Sequence, residues 1–115
     1  MNVSYDGRVF RTVVNAETGD VTTETLFTYH QHGKIVWATY EGGGVTFGTL
    51  VALAASDGRL DMRYQHVSSK GELMTGVCRS VPEVLSDGRL RVHETWRWTC
   101  GDHSSGTSVI EEVPQ

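Results

Sequence analysis

Between Arg89 and Thr99 apolar and polar residues alternate almost without exception. Leu90, Val92, Trp96 and Trp98 share one face with Glu94, while Arg89, Arg91, His93, Thr95, Arg97 and Thr99 share the other. A period of two puts successive side chains on opposite faces of a β-strand, so the first set reads as interior. The run Arg59 to Ser68 repeats the pattern. Leu60, Met62, Tyr64 and His66 point one way, and Arg59, Asp61, Arg63 and Gln65 point the other.

Turn residues cut the rest of the chain into similar runs. Asp-Gly-Arg occurs at Asp6–Arg8, Asp57–Arg59 and Asp87–Arg89, the last two within a longer repeat, Ser-Asp-Gly-Arg-Leu. Asp-Gly between alternating apolar residues is a strong hairpin signal. Eight strands are predicted: Arg8 to Val14, Val21 to His30, Lys34 to Glu41, Val45 to Ala55, Arg59 to Ser68, Glu72 to Val81, Arg89 to Thr99, and Thr107 to Val113. The first connection is the turn Asn15 to Asp20. No window carries a helical period with caps. Short connections between sequential strands give a meander, and closing it removes both sheet edges. The expected fold is all-β: a single domain over residues 1–115, an antiparallel up-and-down barrel of about eight strands, lipocalin-like. Such a barrel is just wide enough to be filled by side chains or to hold one small ligand.

Turn chemistry then predicts register. A two-residue Asp57-Gly58 turn sets Leu53 opposite Met62 and turns Phe47, Thr49, Val51, Leu53 and Ala55 inward. Ser69-Lys70-Gly71 fits a three-residue loop with Gly71 left-handed, pairing Tyr64 with Gly76, Met62 with Cys78 and Leu60 with Ser80. A strict Asp87-Gly88 turn would bury Arg79, so a bulge is expected at Pro82, leaving Ser80 beside Glu94, Cys78 beside Trp96 and Gly76 beside Trp98. In the third strand Ile35 and Trp37 are expected to point in with Phe27 and Tyr29.

Charge narrows the function classes. The net charge is -4 with acids and bases interspersed, which offers no basic stripe for a nucleic acid. No apolar run approaches a membrane span, and the first residues do not read as a signal peptide, so a cytoplasmic location is expected. Cys78 and Cys100 have no CxxC partner and no histidine pair has metal-ligand spacing, so no metal and no cofactor are expected. Cys78 reads as a small buried hydrophobe.

Glu94 is the most informative polar residue. A carboxylate among Leu, Val and Trp must be hydrogen-bonded, ion-paired or raised in pKa. It reads either as a ligand anchor or acid–base catalyst, or as a structural carboxylate satisfied by Ser80, a backbone group or a lumenal water. His66 lies six residues along the ladder from Glu94's level, roughly 20 Å at about 3.3 Å per residue, which argues against a dyad. It reads as a rim or satisfied histidine. Gly42-Gly43-Gly44 is followed by neither Lys-Ser/Thr nor a helix, so it is not a phosphate loop.

Tyr64-Gln65-His66-Val67, then Gly76, Cys78 and Ser80, then Pro82-Glu83-Val84-Leu85 and Gly88 through Trp96 carry a resemblance. The chain resembles a family of small bacterial proteins labelled N-acetylglutamate synthase. That label implies acetyl transfer, yet the chain lacks the helix and the Arg/Gln-x-x-Gly-x-Gly/Ala stretch that hold acetyl-CoA. The barrel is also broadly similar to the lipocalin and fatty-acid-binding group.

Three functions compete. The favoured one is a binding module for a small, partly apolar molecule, with Tyr64, Cys78, Ser80, Glu94, Trp96 and Trp98 lining the lumen. The alternatives are an enzyme with Glu94 as acid–base group, and a solid barrel whose surface binds a partner protein or forms a homodimer.

Overall fold

The computed structural model describes residues 3–15 and 19–114. Ala16, Glu17 and Thr18 of the expected first turn, and the first two residues, lie outside the described residues. Among the described residues the strands are β1 (Val9–Asn15), β2 (Leu26–His32), β3 (Ile35–Gly42), β4 (Val45–Ala54), β5 (Leu60–Ser68), β6 (Leu73–Val84), β7 (Leu90–Trp98) and β8 (Ser105–Glu112). Each pairs antiparallel with its chain neighbours, β1 pairs with β8, and the sheet closes into a barrel. No described residue is helical.

Three hairpins share one turn. Ala55 N bonds Arg59 O at 2.8 Å, Leu85 N bonds Arg89 O at 2.8 Å, and Ser68 N bonds Glu72 O at 2.8 Å. Each pair therefore closes a three-residue loop ending in a left-handed glycine: Gly58 at φ 88°, Gly88 at φ 89° and Gly71 at φ 80°. A residue with a Cβ is disfavoured there. The Asp57 and Asp87 carboxylates each accept from the amide of the arginine two residues on, at 3.1 Å.

The expected two-residue turn at Asp57-Gly58 is one residue too short, and that slip reverses β4. Ala54 stands opposite Leu60 and Leu53 opposite Asp61. Gly48, Leu50 and Ala52 point inward, whereas Phe47, Val51 and Leu53 lie outside at 53%, 55% and 61% exposure. Thr49 faces out as well, where its Oγ1 meets Gln65 Nε2. The phase of β3 reverses with it: Val36, Ala38 and Tyr40 are buried, and Ile35 and Trp37 are exposed. Between β6 and β7 the expected pairs form, Ser80 with Glu94, Cys78 with Trp96 and Gly76 with Trp98. No bulge produces them. The ladder runs through Pro82 opposite Val92 without a shift, because the third loop residue already supplies the offset. The β5–β6 register is the expected one.

β2 begins at Leu26, not Val21. Residues 21–25 form a turn instead, with Thr25 N bonded to Thr22 O at 3.0 Å and Thr22 N to Thr25 Oγ1 at 3.0 Å.

The two ends of the barrel differ. At the end where β5 and β7 begin, residues 3–8 fold across the opening. Tyr5 is fully buried, donates its hydroxyl to Gly58 O at 2.6 Å and its amide to Gln31 Oε1 at 2.9 Å. Its ring packs on Tyr29 at 5.7 Å, and Tyr29 on Phe10 at 4.9 Å. Leu60, Leu90, Val92 and Ile110 complete this plug. Glu112 Oε1 accepts there from Arg8 Nη1 at 2.6 Å and from Leu90 N at 3.0 Å.

Candidate functional site

The other half of the barrel holds a cavity. The sequence builds its walls through paired glycines and aromatics. Gly76 lies opposite Tyr64 and Gly48 opposite Tyr40. A Cβ on either glycine would strike the tyrosine ring beside it, so the glycines let both rings lie flat across a neighbouring strand. Trp96 and Trp98 continue the wall from β7, with ring centroids 5.7 Å apart at 59°. Trp98 meets Tyr64 at 5.7 Å and 64°. Phe27 stacks on Tyr40 at 5.0 Å opposite them. Leu50, Met62 and Cys78 also face the space.

The cavity's volume, taken as the room open to the centre of a water-sized sphere, is about 60 Å³. One water needs roughly 10–15 Å³ on that measure, so the barrel is not solid. The space is narrow, and its aromatic walls favour a flat occupant.

Glu94 enters the cavity from the middle of β7. Ser108, its register partner on β8, donates to Glu94 Oε1 at 2.8 Å. The second carboxylate oxygen has no hydrogen-bond donor among the described residues. Burial raises the Glu94 carboxyl from its ordinary 4.5 to about 7, and the Ser108 hydrogen bond opposes that rise only in part. Its negative charge adds to the burial that already holds Tyr5, Tyr29, Tyr40, Tyr64 and Cys78 protonated.

His66 lies on the same cavity near its mouth, 3% exposed. Its Nδ1 is 2.9 Å from the Tyr40 hydroxyl and its Nε2 is 2.9 Å from Asp20 Oδ2. Burial keeps the Tyr40 phenol protonated. The phenol and Nδ1 share one hydrogen bond, and Nε2 shares the other with the Asp20 carboxylate. Both ring nitrogens are engaged and the side chain is buried, so His66 is a satisfied histidine. It shares the cavity with Glu94 but no hydrogen bond with it.

Asp20 belongs to a segment seated on Gly42-Gly43-Gly44. Gly44 N donates to Asp20 O at 3.1 Å and Thr25 Oγ1 to Gly42 O at 2.9 Å. A Cβ on the three glycines would collide with Glu24 O, Thr22 Oγ1 and Asp20 O respectively. The glycines thus form a flat ledge for residues 20–25, which carry Asp20 to the mouth.

Of the residues expected to line the lumen, Tyr64, Cys78, Glu94, Trp96 and Trp98 border the cavity. Ser80 is buried outside the lining, its hydroxyl 3.7 Å from Cys78 Sγ, and Ser108 takes the place expected of it beside Glu94. Sequence reasoning missed Asp20, Tyr40 and Ser108. The alternation Ser108, Ile110, Glu112 was the available sign for the last.

A family profile described as "Avidin-like protein" matches residues 3–113. The chain belongs to the avidin-like family. No curated protein and no solved structure matches it. An avidin-like barrel agrees with the closed eight-strand meander, and the N-acetylglutamate synthase label finds no support. Among the described residues of this avidin-like chain, no three His, Cys, Asp or Glu side chains converge as a metal site would require.

Proposed function

We propose that this avidin-like barrel binds one small, flat, largely apolar molecule between Tyr64, Trp96 and Trp98, with Glu94 as its polar anchor. One observation carries the reading: a carboxylate with one oxygen lacking a donor among the described residues faces an aromatic cavity at the open end of a barrel plugged at the other. Family membership supports it, since avidin-like barrels bind small ligands such as biotin. Cys78 gives the floor a small side chain, and Ser80 backs it.

Tryptophan emission tests the proposal. A panel of small aromatic compounds, biotin included, is titrated into the protein. At least one should quench or shift the emission with one-to-one stoichiometry, and Trp98→Ala should weaken that response. A panel that leaves the emission unchanged up to millimolar concentration would end the reading.

A homodimer is the second proposal, favoured by one feature of the outer surface. Ile35 pairs with Leu53 and Trp37 with Val51, all four exposed and adjacent on β3 and β4. Sedimentation velocity of the wild type against Val51→Glu would show a loss of dimer, and a wild type that is monomeric at all concentrations would dismiss it.

A further inference from the structure

The charge and hydrogen-bonding groups of the cavity restrict what can occupy it. Among the described residues its lining contains two acids, Glu94 and Asp20, and neither lysine nor arginine. The one basic side chain, His66, has both nitrogens engaged. The Tyr40 hydroxyl is engaged with His66 Nδ1. The Ser108 hydroxyl already donates its hydrogen bond to Glu94. Among the described residues an anion would meet no free cation here, and above about pH 7 it would face the ionised Glu94 carboxylate beside buried aromatic rings, a costly arrangement.

A hydrogen-bond donor meets the opposite conditions. The second oxygen of Glu94 is unmet by any donor among the described residues, and Glu94 borders the cavity together with Tyr64, Trp96 and Trp98. A cation or a polarised N–H group is attracted both by the carboxylate and by the negative faces of the aromatic rings. Trp96, Trp98 and Tyr64 border that space with their rings tilted to one another, Trp98 at 64° to Tyr64 and 59° to Trp96. The Tyr64 hydroxyl, without a hydrogen bond among the described residues, is left for an acceptor atom nearer the mouth.

Resting on the binding-module reading, we infer that the ligand is a flat molecule presenting N–H donors to Glu94, of the amidine or aryl-amine class, and that carboxylates and phosphates are refused at that depth. The carboxylate then selects among ligands, while the aromatic walls supply affinity that does not distinguish them.

A shape-matched series separates the two parts. Benzamidine, benzamide, toluene and benzoate each carry one ring and differ in what they offer Glu94. Binding is followed by calorimetry and tryptophan emission at about pH 8, above the value near 7 at which Glu94 ionises. Benzamidine is expected to bind about tenfold or more tighter than toluene, with benzamide between them and benzoate weakest. In Glu94→Gln the benzamidine preference over toluene should fall to within about threefold, because an amide lacks the charge but keeps the shape. Benzoate binding as tightly as benzamidine, or toluene matching it, would overturn the inference and leave the binding module standing. If none of the four binds, the inference falls, and the wider emission panel decides the binding module separately. The ligand series is decisive on the wild type alone, so a poorly folding variant would not leave the question open.

Discussion

The two ends of this barrel solve opposite problems with similar materials. Both are rich in tyrosine. At the plugged end Tyr5 and Tyr29 are 0% and 1% exposed, and residues 3–8 seal the opening. At the open end the Tyr40 and Tyr64 rings instead lie against glycines and leave a cavity, and the polar groups there include a carboxylate held near neutrality. The contrast teaches that packing and site have been separated along the barrel axis. Changes at the plug should be felt as lost stability, and changes around Glu94 as altered binding and pH response.

The sharpest way to break that division is to unplug the closed end. Tyr5→Ala removes a buried ring and its bond to Gly58, and truncations of this kind cost about 3–5 kcal/mol. Urea denaturation should show a loss of that order. A change below about 1 kcal/mol would mean that the plug is dispensable.

Glu94 gives the next largest effect, through pH. Its carboxyl is raised from 4.5 to about 7 in the folded barrel, so the folded state keeps a proton that the unfolded chain releases. The associated stability is complete below about pH 4.5, declines as pH rises through the interval, and is gone above about 7. The difference is roughly 3 kcal/mol. Denaturation of wild type and Glu94→Gln across pH 4.5 to 8 should show this extra slope in the wild type alone. Parallel profiles would contradict it.

Asp20→Ala should cost less. It leaves the buried Nε2 of His66 unpaired, worth about 1–2 kcal/mol, and it loosens the 20–25 segment from its glycine ledge. Thermal unfolding measures the first consequence, and hydrogen exchange at Thr25 and Gly44 the second. Unchanged values for both would make the Asp20–His66 pair incidental.

Tyr29→Phe should have the smallest effect. The Tyr29 hydroxyl is buried with no partner among the described residues. Removing an unpaired polar group while keeping the ring should leave stability within about 0.5 kcal/mol or raise it. A loss of 2 kcal/mol or more would reveal a bridging water at the boundary between plug and cavity.

Strand order and hairpins could be read from the sequence because turn residues and alternation agreed. The facing of every side chain in β5 and β7 was legible, and their bounds to within a residue, since charged side chains mark their outer faces. β3 and β4 were not. Ile35 through Ala38 and Leu50 through Ala55 are apolar at every position, so a shift of one residue exchanges one acceptable face for another. The deciding fact was whether Ser56 belongs to strand or loop, and Ser-Asp-Gly closing a three-residue loop is what answered it. The same division holds for the site. Glu94, Trp96, Trp98 and Tyr64 sit on legible strands, whereas Ser108, Tyr40 and Asp20 arrive through β7–β8 pairing, the reversed β3 and the 20–25 segment. Those placements depend on the closed tertiary structure and leave little trace in a local pattern.

The way β1 is held has a consequence for how the chain finds its structure. Among the described residues β1 meets β2 through three register pairs, Val9 to Arg11, but meets β8 through five, where Phe10 stands opposite Glu112. Every other ladder joins strands adjacent in the chain. β2 through β8 can therefore zip up hairpin by hairpin, while β1 must await a surface from the far end of the sequence, and such distant pairings come with a large loop-closure cost. The expectation is that β1 is set last, after the rate-limiting barrier. Phe10→Leu should accelerate unfolding in stopped-flow measurements and leave the refolding rate nearly unchanged; an equal slowing of refolding would put β1 in the nucleus instead.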